Sequence, residues 1–440
     1  MNNLRLLTGI FIAISLPGTE LCAADCKPQT ITLEEVFRVA EANSAQLRPM
    51  LTSEKYAEKE IGAALTNRLP EINLSLSVSY IGDGFTLDRS FGDYSVAPIP
   101  HLGNALSLNV EQPVYTGGAI TSTIEIARLK NEAAGISTEA ARDNIRMQLA
   151  GYYFEIYKYD NLRIVVERNV EQARLVLSEM KARYDQGTAL QNDITRYELL
   201  VSNLELQLIK IDNMLRIMNN SLVVTAGLPE GTVIRPDSTM LAQALPENGE
   251  NWWQQEAEQN SPSVRLARTG VSLSRKSESL VKAERLPKVG IQAGWSLDGP
   301  ILVEVPPINR NLSYWYVGVG VRYSLSSLYK SNKKLAASAM ATLQAEENVE
   351  AVREKVTMAV HDDYIRYLES YEELKTQNKS VELAGRNYRT VLTRYNADMA
   401  LITDLLDAVN SKLDAEQRLV NARINIIFYY YKLLFTSGKI

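Results

Sequence analysis

RLPEINLSLSVSY at residues 68–80 returns as RLPKVGIQAGWSL at residues 285–297, and this repeated stretch decides the fold of the chain. Both copies open with Arg-Leu-Pro, and they lie 217 residues apart. After the proline, apolar residues alternate with small or polar ones, which is the period of a β-strand with two different faces. An internal repeat built around strands is therefore the main organising feature of the sequence.

Each copy is followed by a second alternating segment, at residues 106–111 and 317–325. The sequence thus predicts four strands per chain, in two pairs, with a loop inside each pair. The repeat continues beyond the strands, because Arg183-Tyr184 returns as Arg394-Tyr395. That offset is 211 rather than 217, so we expect the difference in length to lie in a loop, where it does no harm.

Two helical stretches follow each strand pair. No proline interrupts the stretch from Gly118 to Tyr184, which at 1.5 Å per residue would reach ~100 Å. The returning stretch, from Ala189 to Ala226, is about half as long. Such a rod, polar on much of its surface, is stable only when its apolar stripe packs against other rods. We expect the short helices before Arg-Leu-Pro to stack on the end of the returning helix and complete a second rod.

The repeat also predicts the domain boundaries. Residues 25–226 form the first structural repeat and residues 251–440 the second, joined by a polar linker at residues 227–250 that contains proline and glycine. Residues 1–24 have the pattern of a secretory signal peptide, with a positive start, an apolar core and small residues up to Ala24. The remaining sequence contains no apolar run of the ~20 residues that a membrane-spanning helix needs.

Composition excludes several classes of function. Hydrophobic residues make up 45% of the chain and charged residues 22%, which is typical of an ordered protein. The net charge is −5 and the basic residues are scattered, so no nucleic-acid partner is predicted. Two histidines, His101 and His361, and two cysteines are too few for most metal or nucleophile chemistry. We predict no enzyme activity, no cofactor and no bound metal.

The strands have the dimensions and the pattern of membrane strands. Each has roughly ten residues, the length that crosses a bilayer when the strand is tilted at about 45°. A soluble sandwich shows the same alternation, but four strands are too few to build one, and the signal peptide directs the chain to the cell envelope. Four strands also cannot close a barrel, and lipid does not tolerate an open sheet edge. Several copies must therefore share one barrel.

Aromatic residues near the strand ends suit an interfacial girdle. On one side they are Tyr80, Trp295, Tyr314, Trp315 and Tyr316, and on the other side Tyr115 and Tyr323.

These features together resemble the TolC-like outer-membrane efflux factors over nearly the whole mature chain. The resemblance includes the duplicated plan, the Arg-Leu-Pro entry to each strand pair, and QPVYTGG at residues 112–118. It also includes an Arg-Tyr-x-x-Gly-x5-Asp turn from Arg183 to Asp193, echoed from Arg394 to Asp404. No single element is decisive, but the ordered set is specific.

The resemblance implies a mixed fold of mainly long α-helices plus four transmembrane β-strands per chain. It implies a homotrimer in the outer membrane, with a twelve-stranded β-barrel above a periplasmic α-helical tunnel. A periplasmic adaptor and an inner-membrane transporter would dock at the far tip of the tunnel. The chain departs from the family pattern in three places: residues 325–330 lack the usual aromatic-Asp-Gly-Gly turn, Asp398 replaces a glycine, and Ala400 stands where a relative carries arginine.

The resemblance also marks residues of the closed periplasmic mouth. Asp404 and Asp407 lie three residues apart on one helix face, and threefold symmetry would turn them into two carboxylate rings. Acids in the first turns of a helix also complement its dipole, which is the alternative interpretation. Asp193 and Arg196 occupy the equivalent places of the first half, as a latch between helices or as a solvated pair. Tyr395 cross-links helices through its hydroxyl or only packs.

The two tip turns resemble adaptor-docking sites, although an ordinary helical hairpin, with Thr188 as N-cap and Gln191 completing a capping box, explains the first turn equally well. The proposed docking residues are Gly187, Thr188, Ala189, Leu190, Met399, Ala400 and Leu401. In the barrel, the polar strand positions Glu111, Gln292 and Arg322 should face the lumen and tune conductance.

The function that these observations favour is the passive exit duct of a tripartite efflux system. An exit channel for protein or peptide secretion would have the same fold, because the pump supplies the energy and the substrate choice. A non-conducting periplasmic coiled-coil scaffold belongs to another class, and the alternating strands argue against it.

Overall fold

The computed structural model describes residues 29–237, 245–246, 248–304 and 307–440, so the predicted signal peptide at residues 1–24 lies outside the described residues. In the described part, the helices are α1 (Leu33–Asn43), α2 (Arg48–Thr66), α3 (Ala119–Asp185), α4 (Gln191–Ala226), α5 (Glu250–Asn260), α6 (Pro262–Ala283), α7 (Ser327–Asn396) and α8 (Ile402–Thr436). The strands are β1 (Gln29–Ile31), β2 (Glu71–Tyr80), β3 (Gly84–Leu87), β4 (Tyr94–Ala97), β5 (Leu102–Tyr115), β6 (Ile234–Pro236), β7 (Lys288–Gly299) and β8 (Leu312–Arg322).

Both halves have the same order of elements: two short helices, two strands of one sheet, then a very long helix and a shorter returning one. The long helices α3 and α7 have 67 and 70 residues, which corresponds to roughly 100 Å each. The prediction of an uninterrupted first rod is confirmed. None of the helices in the described part of the chain combines the length and the apolar character needed to cross a membrane.

The short helices continue the line of the returning helices. At the end of α4, a side-chain carbon on Gly227 would lie 2.7 Å from the Asn43 carbonyl oxygen at the end of α1. At the end of α8, Gly438 approaches the Asn260 carbonyl oxygen of α5 in the same way, at 2.6 Å. Beyond these junctions, α2 packs against α3 and α6 packs against α7. Each long helix is thus covered by two helices in succession, which confirms the expected second rod.

Apolar stripes on the four long helices hold the bundle together. One cluster joins α3, α4, α7 and α8 toward the ends that carry the helix turns, with Tyr197 and Leu405 among its buried side chains. A second lies where α1 and β6 meet the middle of α3, around Tyr153, and a third surrounds Trp253 of α5. Because these clusters form between helices that are distant in sequence, the rods are stable only as a bundle.

The four longer strands form one antiparallel sheet in the order β2-β5-β7-β8. The fourth strand lies earlier than predicted, at Leu312–Arg322 instead of residues 317–325. Its alternation continues into Tyr323 and Leu325, but β7 has no partners left for those residues, because its first residue Lys288 already pairs with Arg322. The hairpin β3-β4 occupies the loop between β2 and β5, which makes that loop longer than the one between β7 and β8.

Residues 238–244 and 247 of the predicted linker lie outside the described residues, and the described part of the linker includes a strand. This strand, β6, pairs in parallel with β1. Asn219 of α4 holds the start of β6, because its side chain accepts from the Ile234 N–H and donates to the Thr232 carbonyl, both at 2.8 Å. The segment around β6 is therefore attached to the helical bundle.

The two faces of the sheet differ as the alternation predicts. One face carries rows of apolar residues, and on the edge strands these are open, with Leu74 72% and Trp315 75% exposed. The pairing register between β5 and β7 shifts at a bulge between Pro113 and Tyr115. This shift places Tyr115 opposite Val289 on the apolar face. Tyr316 pairs with Gly294 on the polar face and its ring lies over that glycine.

Tyr314 pairs with Ser296 and shares the polar face with Tyr316, because both lie at even positions of β8. The prediction that these two tyrosines join Trp315 in one girdle is wrong, since successive strand residues point to opposite faces. Trp315 remains on the apolar face, opposite Trp295.

Candidate functional site

The turns that join α3 to α4 and α7 to α8 have the same backbone geometry. In the first, Gly187 has a φ of +73°, and the Thr188 N–H donates to the Arg183 carbonyl at 2.9 Å. In the second, Asp398 has a φ of +58°, and the Met399 N–H donates to the Arg394 carbonyl at 2.8 Å. Both helices thus end in a Schellman-type turn with one left-handed residue. Asp398 takes this conformation because aspartate tolerates it better than most side chains.

The first turn does not contain the predicted capping box. Leu190 is the N-cap of α4, and the Thr188 hydroxyl donates to the Arg183 carbonyl at 3.0 Å. Thr188 therefore closes the end of α3 instead of starting α4.

An ion pair joins the two turns. The Arg183 Nη2 and the Asp398 Oδ1 lie 2.5 Å apart, and the Arg183 guanidinium also lies 5.8 Å from the centre of the Tyr395 ring. Arg183 is held in place by that ring, while Asp398 is 75% exposed. Within the described residues, Arg394 of the second half forms no such pair, because the equivalent turn position is Gly187, which has no carboxylate. The two turns are therefore joined by one ion pair, from Arg183 of the first turn to Asp398 of the second, and not by a symmetrical set of two.

Tyr395 and Asp193 form a second contact between the turns. Tyr395 is buried, and its hydroxyl lies 3.4 Å from Oδ2 of Asp193, which is a long hydrogen bond. Burial and the neighbouring Asp193 carboxylate raise the pKa of Tyr395 to about 12. The phenol is therefore a neutral donor over the physiological pH range.

A cleft of about 330 Å³ lies between the two turns. It brings together residues that the sequence analysis assigned to two functions, the mouth and the docking tips. Its lining includes Gly187, Thr188, Ala189, Leu190, Asp193, Tyr395, Ala400 and Leu401, together with Arg183 and Asp398. Met399 does not line the cleft and is 74% exposed beside it. The tip is thus one surface built from both halves of the chain.

Asp404 and Asp407 lie on the exposed side of α8, away from the buried Leu405 and Ala408. The Asp404 carboxylate accepts a hydrogen bond from the Leu401 N–H at 3.1 Å, which caps the start of α8. Within the described residues, Asp407 and Arg196 take part in no ion pair. No Asp193–Arg196 contact forms within one chain, so their role as a latch stays a prediction.

The three predicted lumen residues lie on the polar face near the helical end of the sheet. Glu111 is opposite Gln292, and Arg322 is opposite Lys288. All four line one cleft of about 310 Å³. Glu71 lies opposite Glu111, so the row continues to the edge of the sheet. Carboxylates at the level of Gln292 and cations at the level of Lys288, with the row of Gly290 and Gly320 between them, therefore form a charged band across this face.

Sequence reasoning missed Asp398 as a partner of Arg183, as well as the band members Lys288 and Glu71. Lys288 and Glu71 could have been predicted from the sequence, since both follow an Arg-Leu-Pro and begin a strand. The ion pair was not, because its residues lie 215 positions apart and meet only through packing of the helices.

Comparisons with known proteins agree with this architecture. The family model described as outer membrane efflux protein matches residues 36–228 and 253–427. The outer membrane protein TolC of Vibrio cholerae is 20% identical over 93% of this chain and 91% of its own length. TolC of Escherichia coli is 20% identical over 96% of this chain and 84% of its own.

Solved structures show the same fold. The outer membrane protein VceC of Vibrio cholerae superposes with a TM-score of 0.74 at 16% identity, covering 92% of this chain and 96% of VceC. The MtrE outer membrane channel of Neisseria gonorrhoeae superposes with a TM-score of 0.71 at 15% identity, covering 92% of this chain and 88% of MtrE. The matched family segments include most of both repeats. The chain therefore belongs to the outer membrane efflux protein family, and it resides in the outer membrane with its helical domain in the periplasm.

Proposed function

We propose that three copies of this chain form a continuous duct, a twelve-stranded barrel above a helical tunnel, through which an efflux system exports its substrates. The observation that carries the proposal is the open sheet. Among the described residues, its edge strands β2 and β8 have no outer partner, and their apolar side chains are exposed. An unpaired edge in lipid costs several kcal/mol for each unsatisfied backbone group.

Pairing of edge strands between neighbouring copies removes the free-energy cost of the unpaired edges. The sheet alternates in direction, so β8 of one copy meets β2 of the next in the antiparallel sense. The two edges have similar lengths, 10 residues in β2 and 11 in β8, and both carry apolar residues on the same face of the sheet. Pairing them satisfies the backbone and leaves the apolar face toward lipid.

The charged band of Glu71, Glu111, Gln292, Lys288 and Arg322 then lines the lumen at the membrane's periplasmic end. Charged rings at a narrow level of a pore select among ions. At the other end of the duct, the turns that carry Asp193, Tyr395 and Asp398 surround the mouth.

The exposed tip residues Leu190, Met399 and Leu401 form the docking site for a periplasmic adaptor that also binds an inner-membrane transporter. Their exposures of 68%, 74% and 70% are large for apolar side chains on a rigid helical turn. Small toxic compounds are the proposed cargo, because the family description is efflux.

Planar-bilayer recording of the protein purified from outer membranes tests the proposal. We expect an unheated trimer on denaturing gels and a steady conductance after insertion. A matched variant, Val319→Asp, places a charge on the lipid-facing side of edge strand β8 and should abolish both, whereas Gly318→Asp on the lumen side should leave the trimer intact. A monomeric protein that does not insert would contradict the proposal.

A further inference from the structure

The two helical hairpins, α3-α4 and α7-α8, meet mainly where α3 packs against α8. The part of this contact nearer the tip turns is apolar, since Val176 and Met180 of α3 belong to the same buried cluster as Leu405 and Val409 of α8. Apolar packing is non-directional, so it fixes the alignment of two long helices only weakly. Directional contacts specify much more sharply how far α8 reaches along α3.

One level of this contact is polar. Asn169 of α3 is only 6% exposed, and its side-chain amide donates to Oε2 of Glu416 on α8 at 2.8 Å. One turn nearer the tip, Nζ of Lys412 on α8 donates to Oε1 of Gln172 on α3, also at 2.8 Å. A step of three residues on α3 and four on α8 is about one helical turn, so both bonds join the same two helix faces. We call these four residues the polar layer.

The polar layer is supported from its own helices and from α7. The Asn169 amide also donates to the Val165 carbonyl of α3 at 2.8 Å. Nζ of Lys412 lies 3.8 Å from Oε1 of Glu416 and 5.0 Å from the centre of the Tyr388 ring, which is buried on α7. The amide protons and the charges of the layer thus have partners. A satisfied polar network of this kind favours one arrangement of a core over the others.

The sequence around the polar layer makes other alignments unfavourable. Leu162 and Val176 lie seven residues on either side of Asn169, and Val409 lies seven residues before Glu416. Moving α8 by seven residues away from the tip would put Val409 opposite Asn169 and Leu162 opposite Glu416. The opposite shift would put Val176 opposite Glu416. Either shift takes away the partners that these polar groups now have, which costs free energy.

The alignment of α3 and α8 also decides whether the two tip turns meet. The bond between Asn169 and Glu416 lies 16 residues from the end of α3 and 14 residues from the start of α8. The two turns therefore come to nearly the same level, where Arg183 reaches Asp398. A shift of seven residues corresponds to roughly 10 Å along the helix axis, which would separate this ion pair.

We propose that the polar layer is a register lock, which holds the two hairpins in the single alignment that builds the tip from both. Its contribution is to specificity of packing and not to overall stability, because buried polar side chains at a helix contact select one register at a cost in stability. The register lock acts within one chain. It therefore does not depend on the assembly of three copies or on the proposed export function.

Disulfide mapping tests which alignment the helices adopt. Val176 and Val409 lie at the same level in the observed alignment, because each is seven residues from one partner of the bond between Asn169 and Glu416. Val176→Cys with Val409→Cys should therefore cross-link under mild oxidation. Val176→Cys with Ile402→Cys should cross-link to less than about a tenth of that extent, since only a shift of α8 brings those two within disulfide distance. Mass spectrometry of the digested protein identifies each disulfide.

The decisive variant replaces the polar layer by leucine. Its four substitutions are Asn169→Leu, Gln172→Leu, Lys412→Leu and Glu416→Leu. We expect thermal stability equal to or above that of the unmodified protein, because apolar packing replaces buried polar groups. Both cysteine pairs should then cross-link to within about threefold of each other, since no single alignment is favoured.

A matched control removes polar groups from the same part of α8 without touching the contact with α3. Asp414 and Arg418 form an exposed ion pair along α8. Asp414→Ala with Arg418→Ala should leave the disulfide between positions 176 and 409 dominant.

Two results of this comparison decide the proposal. Cross-linking of both cysteine pairs in the leucine variant, with only the first pair cross-linked in the control, supports the register lock. Cross-linking of only the first pair in the leucine variant overturns it, because apolar packing would then fix the alignment unaided. If the fourfold variant does not accumulate, Asn169→Leu with Glu416→Leu gives the same comparison, and the same two results decide. Failure of the proposed duct would appear separately, as absence of a trimer in the unmodified protein.

Discussion

Arg183 and Asp398 form an ion pair across the two tip turns, with 2.5 Å between Nη2 and Oδ1, although 215 residues separate them in sequence. Asp398 adopts a left-handed backbone conformation at this position, which glycine would adopt with less strain. The pair joins the first hairpin of the chain to the second. We therefore propose that it holds the two helical hairpins of each copy together at the tip.

The first prediction concerns this pair. Asp398→Gly removes the ion pair and relieves roughly 1 kcal/mol of backbone strain, while the exposed pair itself contributes under ~1 kcal/mol. We expect unchanged or slightly higher thermal stability together with a leakier resting channel in bilayer recordings. Asp398→Asn, which keeps the left-handed preference and removes only the charge, should leak equally. Resting conductance equal to wild type in both variants would show that the pair does not hold the mouth.

The second prediction concerns pH. Tyr395 has its pKa raised from an ordinary value of 10.0 to about 12. Because the folded state keeps the proton longer than the unfolded one, the contribution of Tyr395 to stability is complete below pH 10 and is lost as pH rises through 12. Above that pH, a phenolate beside Asp193 opens the tip. Hydrogen exchange at the turns should increase between pH 10 and 12.

Tyr395→Phe is the matched control for this titration, because it keeps the buried ring and removes the proton. Its tip should show no added exchange from this group, although other buried tyrosines such as Tyr153 still titrate near pH 12. Identical profiles for the variant and the wild type would remove Tyr395 from the mechanism.

The third prediction concerns the acids of α8. Asp404→Asn with Asp407→Asn should abolish block of the channel by divalent or trivalent cations, since two carboxylate rings would be lost. The asparagine at position 404 still accepts from the Leu401 N–H, so the start of α8 stays capped. Asp404→Ala with Asp407→Ala should lose block as well, with an added loss of helix stability. Block that persists in the asparagine variant places the cation site elsewhere.

The fourth prediction concerns the lumen. Glu111→Gln should make the channel less cation-selective, and Arg322→Gln should make it more so, because the two side chains lie on one polar face with opposite charges. Reversal potentials measured across a salt gradient give the sign directly. If neither variant changes the reversal potential, the polar face does not line the conducting path.

The fifth prediction separates docking from folding at the tip. Leu405 is fully buried and Leu401 is 70% exposed on the same helix end. Leu405→Ala should destabilise the bundle by about 2–5 kcal/mol, whereas Leu401→Ala should change the unfolding free energy little and weaken adaptor binding. Thermal unfolding and pull-down of the purified adaptor measure the two effects. Unaltered adaptor binding by Leu401→Ala would contradict its role in docking.

Much of the fold was predictable because it depends on local pattern. Alternation from Ile72 to Tyr80 requires a two-faced strand, and the absence of proline between Gly118 and Tyr184 permits one long helix. Repetition of Arg-Leu-Pro and of Arg-Tyr located both halves and both turns. These patterns are local in sequence, so they can be interpreted without knowing which segments pack against each other.

The tertiary structure decided whatever depends on partners distant in the chain. Pairing with β7 ended β8 at Arg322, although the alternation runs on, and a bulge after Pro113 turned Tyr115 to the apolar face. Packing of the four long helices brought Arg183 to Asp398 and buried Tyr395 beside Asp193. Periodicity states which face a residue occupies but not which residue it meets, since that depends on register between segments some two hundred residues apart.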